Sequence, residues 1–288
     1  MVTGASGQLG IEFVKEASLF GLEVYPTSSI DLDITDFNRV ENFILKKEPD
    51  VVLNCAAWTD VESANLNAKQ ADLINNLSVK NLAKLSSNLG CKFLTISTDY
   101  VFDGESQIPW KNSDKGNPKS IYGKTKFDGE NAALSVYPNG AHIIRTAWLY
   151  SPWRRNFVKS IIKLGLQSQE PINVVKDQFG QPTLAKDVAM YLIEFLVKDC
   201  GPGIYHATNS GVASWFQFAQ KIFDEIGLNP DRINPISTEF YNSKVDRPKY
   251  SVLESVNDKK NSLEPMRPWT EALSESIDEI LYEVKRGI

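Results

Sequence analysis

The chain has few cysteines, no long apolar run and no excess of basic residues, and each shortage removes a class of function. Cys55, Cys91 and Cys200 are odd in number, and no two stand in a Cys-x-x-Cys spacing. Neither a disulfide framework nor a zinc site is therefore indicated. No apolar stretch approaches the ~18 residues of a membrane span. The first residues also lack the basic segment and following apolar stretch of a secretory leader, so a cytoplasmic setting is expected. A net charge of −5 over 288 residues offers no basic footprint for nucleic acid. An anionic small molecule would have to rely on backbone amides and a few local cations. Internal repeats and low-complexity linkers are absent as well. What remains, 42% hydrophobic and 23% charged residues, is the composition of an ordinary globular protein. Its length suits one domain with a substantial appendage, or two interleaved domains.

The pattern of elements alternates. Met1–Thr3 reads as a strand end, Gly4–Gly10 as a turn and Ile11–Phe20 as a helix. Strands are expected at Leu22–Tyr25, Val51–Cys55, Lys92–Ser97 and Ala141–Arg145, and helices at Phe37–Lys47, Asp72–Leu89 and Ser120–Ser135. Short continuous apolar strands between amphipathic helices indicate a parallel sheet covered on both faces. This is a doubly wound α/β fold, in which ligands bind beyond the carboxyl ends of the strands. Past Trp148 the rhythm loosens. Helices are expected at Asn156–Leu166, Thr183–Val197 and Trp215–Ile226, an extended segment at Ile172–Val175, and a loop from Asn229 to Lys249. Substrate recognition is expected in this part. The division is 1–147 for the dinucleotide-binding domain and 148–288 for a smaller α/β substrate-binding domain, with segments about 170–206 returning to the first sheet.

Gly4, Gly7 and Gly10 stand between a strand and a helix, in Gly-x-x-Gly-x-x-Gly spacing. Glycines there allow a tight turn and close approach of a pyrophosphate, which the helix N-terminus stabilises. Only three residues precede Gly4, where a strand averages roughly five or six. A clipped central strand is the expectation, with lost side-chain burial and ladder bonds at ~1 kcal/mol or more each. Against a total stability of ~5–15 kcal/mol that loss would threaten activity. After the second strand, Tyr25-Pro-Thr-Ser-Ser29 carries neither an acidic residue for a ribose nor an arginine for a 2′-phosphate, so NAD and NADP both stay open. Asp33 and Ile34 lie where an adenine could rest, although Asp33 serves equally as a helix-start residue. Ala56 and Ala57 let a flat cofactor pass close to the backbone, or simply pack.

Tyr122 and Lys126 stand one helical turn apart, so the ammonium can sit near the phenol and lower its pKa. A phenol so placed can exchange a proton at neutral pH, as carbonyl reduction requires. Thr98, at the end of the fourth strand, can hydrogen-bond both a substrate carbonyl and Tyr122.

Taken together, these segments resemble the extended short-chain dehydrogenase/reductase family over nearly the whole chain. The most specific parts are Ser97–Gly104, Tyr122–Lys126, Arg145–Tyr150 and Asp177–Thr183. The last two point to the reductases that act on dTDP-linked 4-keto-6-deoxy sugars. The resemblance implies a Rossmann-type sheet, NADPH or NADH as cofactor, and reduction of the C4 ketone of such a sugar. Tyr122 would be the proton donor, Lys126 would hold the nicotinamide ribose, and Thr98 would complete the triad. Gly7, Gln8, Leu9, Asp33, Ile34, Ala56, Ala57 and Thr59 match cofactor contacts; Thr98, Asp99 and Trp148 match sugar-nucleotide contacts. Asn75 matches an asparagine that supports the lysine through water. Arg247 would face the diphosphate, or else be a solvated loop residue, and Trp148 could equally be core. Glu12 and Glu271 match two positions of a dimer-bridging magnesium site, but Lys186 stands at the third, so no metal is expected; a homodimer by other contacts stays open. Related dehydratases carry a second carboxylate where Tyr100 stands here. Epimerases and the regulatory subunit of methionine adenosyltransferase share the triad and remain alternatives.

Overall fold

The computed structural model describes residues 1–241, 245–255 and 263–287; residues 242–244, in the expected Asn229–Lys249 loop, lie outside it. The first half runs β1 (Val2–Thr3), α1 (Gln8–Leu19), β2 (Pro26–Thr27), α2 (Phe37–Lys47), β3 (Val51–Asn54), α3 (Val61–Leu66), α4 (Ala68–Asp72), α5 (Ser78–Leu89), β4 (Lys92–Thr98), α6 (Ile121–Val136) and β5 (Ala141–Thr146). There follow β6 (Leu149–Tyr150), α7 (Phe157–Gln167), β7 (Ile172–Val175), β8 (Phe179–Gly180), β9 (Thr183–Leu184), α8 (Ala185–Val197) and β10 (Gly203–His206). The remainder is β11 (Ala213–Ser214), α9 (Trp215–Glu225), β12 (Ile233–Ile236), α10 (Thr238–Tyr241) and α11 (Trp269–Arg286). None of these helices is long and apolar enough to cross a membrane.

Six parallel strands form the main sheet in the order β10-β5-β4-β3-β1-β2. The doubly wound parallel sheet expected from the sequence is therefore present. The two-residue side-chain period of a strand sends neighbours to opposite faces. Val52, Phe93 and Ile143 pack with Val40 and Ile44 of α2 and Leu82 of α5. Their neighbours Leu53, Leu94 and Ile144 pack with Phe13 of α1 and Leu192 of α8. Both faces are covered, which explains the continuous apolar reading of these strands. A third core, built from α7, α9 and α11 with Tyr150, Val174 and Leu184, belongs to the later part of the chain.

Several expectations shift. The second strand lies at Pro26–Thr27, not Leu22–Tyr25. Leu22 N–H still bonds back to Ala17 O, and the backbone meets β1 only when Tyr25 O accepts from Val2 N–H. The chain thus finishes leaving α1 before it can pair. β1 is two residues long and pairs on both sides, with Val2 opposite Pro26 and Leu53. β7 pairs with β12 outside the main sheet, whereas β10 forms its edge and α8 lies against α1. The expected Asp72–Leu89 helix is widened by a π-helical turn at Leu73–Leu77 between α4 and α5. Single π turns inside helices recur at functional sites, and this one carries Asn75.

Gly129 of α6 explains how closely that turn is packed. A Cβ there would meet Asn75 O at 2.0 Å, with no flexible side chain to yield. Gly129→Ala is expected to cost ~1–3 kcal/mol by overpacking. A denaturant midpoint equal to that of the unaltered protein would refute this.

Candidate active site

α6 begins at Ser120, whose side chain accepts from Gly123 N–H at 3.1 Å, satisfying one of the open donors of the first turn. This cap fixes where Tyr122 and Lys126 emerge. β4 ends at Thr98, whose Oγ1 accepts from Tyr100 N–H at 3.2 Å and donates to Asp99 Oδ1 at 3.0 Å. The Thr98 hydroxyl also lies beside the Tyr122 phenol, where it favours the phenolate. The Tyr122 ring stands edge-on to Tyr100, 5.6 Å between centroids.

Electrostatics here differ from expectation in one respect. Burial dominates Tyr122 and pushes its phenol above the usual range; the nearby Thr98 hydroxyl opposes this, while Asp99 and Tyr100 add to it. Lys126 is not among the groups acting on the phenol. Its Nζ donates instead to Ile96 O at 2.5 Å. Burial also lowers the Lys126 ammonium to about 8, against the opposing charge of Glu130, one turn further along α6, and a smaller effect of Cys55. The predicted lowering of the phenol by Lys126 is therefore not a property of this arrangement. Burial also raises Asp99 to about 6, opposed by the nearby Ser251 hydroxyl and by the hydrogen bond from Thr98. Behind Lys126, Glu130 is held by Arg145 through Nε–Oε1 at 3.0 Å and Nη2–Oε2 at 2.6 Å, both side chains almost wholly buried.

Asn75 clamps two walls together. Its Oδ1 accepts from Trp58 N–H at 2.9 Å, and its Nδ2 donates to Trp58 O and Thr125 Oγ1, each at 3.1 Å. It thereby ties the loop after β3 to α6 at Thr125, next to Lys126.

A cleft of about 660 Å³ opens at the carboxyl ends of the strands. Gly4, Gly7, Gln8, Leu9 and Gly10 line it from the β1–α1 turn, Asp33 and Ile34 from beyond β2, and Ala56, Ala57 and Thr59 from beyond β3. Thr98, Asp99, Tyr122, Lys126, Trp148 and Arg247 complete the wall. Every residue singled out for cofactor, substrate or catalysis thus meets in one place, apart from Asn75 just behind. Gly4 adopts φ +64°, and a Cβ there would meet Ala56 N at 2.5 Å. Only glycine allows the phosphate loop to lie this close to the β3 loop, so the cradle suits a dinucleotide's pyrophosphate.

Other details fall outside the sequence reading. Asp33 accepts from Thr35 N–H and Oγ1, a local turn, while Asp36 caps α2. Asp31, which does not line the cleft, closes a local turn by accepting from Ser28 N–H at 3.0 Å and Ser28 Oγ at 2.6 Å. Gln8 Oε1 accepts from Ser151 Oγ at 3.1 Å and Asn156 Nδ2 at 2.9 Å, stitching the phosphate loop to the chain after β6. Arg154, with φ +55°, donates to Ser6 O at 2.6 Å, and both Arg154 and Arg155 line the cleft. Trp148, at φ +44°, stacks on Trp215 with centroids 3.5 Å apart, and Trp215 also lines the cleft. Nothing local in the sequence pairs these rings; only α9 folding back does so. Arg247 pairs with Glu62 at 3.3 Å. Glu12 lies buried on α1, accepting from Trp153 Nε1 at 2.7 Å, while Lys186 faces Glu275 at 3.9 Å and Glu271 opens α11; none of the three lines the cleft.

A model of the RmlD substrate binding domain matches residues 1–282. The chain belongs to that family. The RmlD-type chain is 39% identical to the dTDP-4-dehydrorhamnose reductase of Streptomyces griseus, across 100% of this chain and 96% of that one. It is 39% identical to the spore coat polysaccharide biosynthesis protein SpsK of Bacillus subtilis (strain 168), covering 97% and 96%. Among solved structures it resembles the dTDP-4-dehydrorhamnose reductase of Bacillus anthracis in complex with NADP, with TM-score 0.91, 35% identity and 96% and 98% coverage. The cradle at Gly4 is consistent with such a dinucleotide.

Proposed function

We propose that this protein is an NADPH-dependent oxidoreductase. It reduces the C4 ketone of dTDP-4-dehydro-β-L-rhamnose to give dTDP-L-rhamnose, for deoxysugar and polysaccharide biosynthesis. The observation that carries this reading is the Tyr122–Thr98–Asp99 array beside Lys126, in the same cleft as the glycine cradle. When bound, NADPH supplies the hydride for the ketone carbon. Tyr122 gives its proton to the oxygen that gains negative charge, with the Thr98 hydroxyl beside the phenol favouring the phenolate so formed. Lys126 supplies a cation for the ribose and for the developing charge. Asp99, Trp148 and Arg247 are assigned to the sugar nucleotide, with Arg247 directed to its diphosphate. NADH is the alternative donor. We extend the reading to a nucleotide half, 1–147, and a mainly substrate-binding half, 148–288. A cytoplasmic location and the capacity to pair as a homodimer belong to the same proposal.

The test is the loss of NADPH and NADH absorbance on adding that sugar nucleotide to the purified protein, with identification of the product. Rapid oxidation to dTDP-L-rhamnose supports the reading; a folded, cofactor-binding protein without turnover refutes it. The same assay carries a pH expectation. Because burial holds Lys126 down at about 8, it loses its charge as pH rises through that value. The kcat/KM, which reports ionisations of the free enzyme, should then fall above pH ~8. Lys126→Arg, charged throughout, should remove this limb; a limb unchanged in that variant belongs to another group.

A further inference from the structure

Arg155, in the loop between β6 and α7, lines the cleft and has no role in the scheme above. Its loop is well anchored. Trp153 Nε1 donates to Glu12 Oε1 at 2.7 Å, Asn156 Nδ2 to Gln8 Oε1 at 2.9 Å and Arg154 Nε to Ser6 O at 2.6 Å. Arg154 adopts φ +55°, a left-handed backbone that residues with a Cβ disfavour. The turn separates two neighbouring cations. Arg154 is tied to the phosphate loop, whereas the charge of Arg155 acts on Asp60, which caps α3. Asp60 is committed to that cap, accepting from Glu62 N–H and Ser63 N–H. Arg155 therefore makes no hydrogen bond or ion pair among the described residues. Arg247 reaches the same turn of α3 from a later segment and pairs there with Glu62 at 3.3 Å.

The reaction fixes where a diphosphate must lie. In a 4-keto pyranose the ketone carbon and the carbon that bears the diphosphate stand across the ring from each other. With the ketone at Tyr122, the diphosphate falls one sugar ring away. Arg247 is suitably placed, because its charge acts on the phenol of Tyr100, whose ring centre is 5.6 Å from that of Tyr122. A diphosphate carries more charge than one guanidinium balances, and Arg155 is the cation that meets Arg247 at the first turn of α3. We propose that Arg155 joins Arg247 in holding the diphosphate of the sugar nucleotide, and that Glu62 releases Arg247 when it arrives. The exchange follows from exposure. The Glu62 side chain is 55% exposed, and an ion pair so open to water gains little. A guanidinium on a phosphate instead forms bidentate, charge-assisted bonds. The anchored loop presents Arg155 with little left to order on binding. This inference rests on the sugar-nucleotide reading of the cleft.

The probe is dTDP, which carries the diphosphate but no ketone, so calorimetry reads binding apart from turnover. Arg155 is exposed, and Arg155→Met should fold like the wild type. Its Kd for dTDP should rise about tenfold, the weight of one charge-assisted bond, while its Kd for NADPH stays within about twofold. Glu62→Gln removes the competitor for Arg247 and should bind dTDP roughly two- to threefold more tightly. In an Arg247→Met background the same change should have no effect. Unchanged dTDP affinity in Arg155→Met overturns the inference. So does a loss confined to NADPH, which assigns Arg155 to the cofactor's pyrophosphate. Glu62→Gln that binds dTDP no more tightly, or gains equally without Arg247, overturns the exchange. Wild-type protein that binds NADPH but not dTDP removes the sugar-nucleotide reading itself, and this inference with it.

Discussion

Tyr122→Phe should lower kcat by roughly 10²–10⁴-fold, the usual contribution of a positioned proton donor, while NADPH affinity stays within about twofold. The ring is retained, so its edge contact with Tyr100 survives. What is lost is the hydroxyl beside Thr98. Removing a phenol whose ionisation is disfavoured by burial relieves no buried charge, so the fold has little reason to weaken. Steady-state oxidation of NADPH together with fluorescence titration of the cofactor separates the two effects. Retained turnover would remove Tyr122 from the chemistry. A joint loss of turnover and binding would make it a structural residue.

The second large effect concerns stability. Glu130→Gln leaves the Arg145 guanidinium buried at 1% exposure without its carboxylate. Breaking one side of a buried pair typically costs ~3–5 kcal/mol, because the remaining charge is desolvated and uncompensated. For a chain of this size that is a fall on the order of ten degrees in Tm. Arg145 already has Nη1 unpartnered among the described residues, so nothing nearby stands ready to absorb the change. Pairing the change with Arg145→Met should recover most of the loss, since an apolar replacement for a buried pair is often neutral. A Glu130→Gln protein that melts like the wild type would show that water reaches Arg145.

The strands that hold the site were legible because both their faces are buried. β3, β4 and β5 read as apolar runs for that reason, and α2 lies at Phe37–Lys47, the range the sequence indicated. The Tyr122–Lys126 spacing predicted a shared helix face correctly, since that is a local property of α6. It could not predict where the ammonium points. That is decided by Ile96 O, offered by another element. The register of β2 depended likewise on how the chain leaves α1. α11 did carry a readable signal, with Ala272, Leu273, Ser276, Ile277, Ile280 and Val284 buried on one face. Trp215, Arg154 and Asn156 carried none, because their place in the cleft exists only after residues far apart in sequence have met.

α8, drawn from residues 185–197, covers α1 and one face of the sheet with Val188, Leu192 and Phe195. β10 closes the exposed side of β5 from later still. A nascent chain that has emerged only as far as β5 therefore still shows a bare apolar sheet face and an open strand edge. Such surfaces invite aggregation. During synthesis the chain up to β5 must wait for the residues that follow it, and the vulnerable interval ends only when β10 has docked.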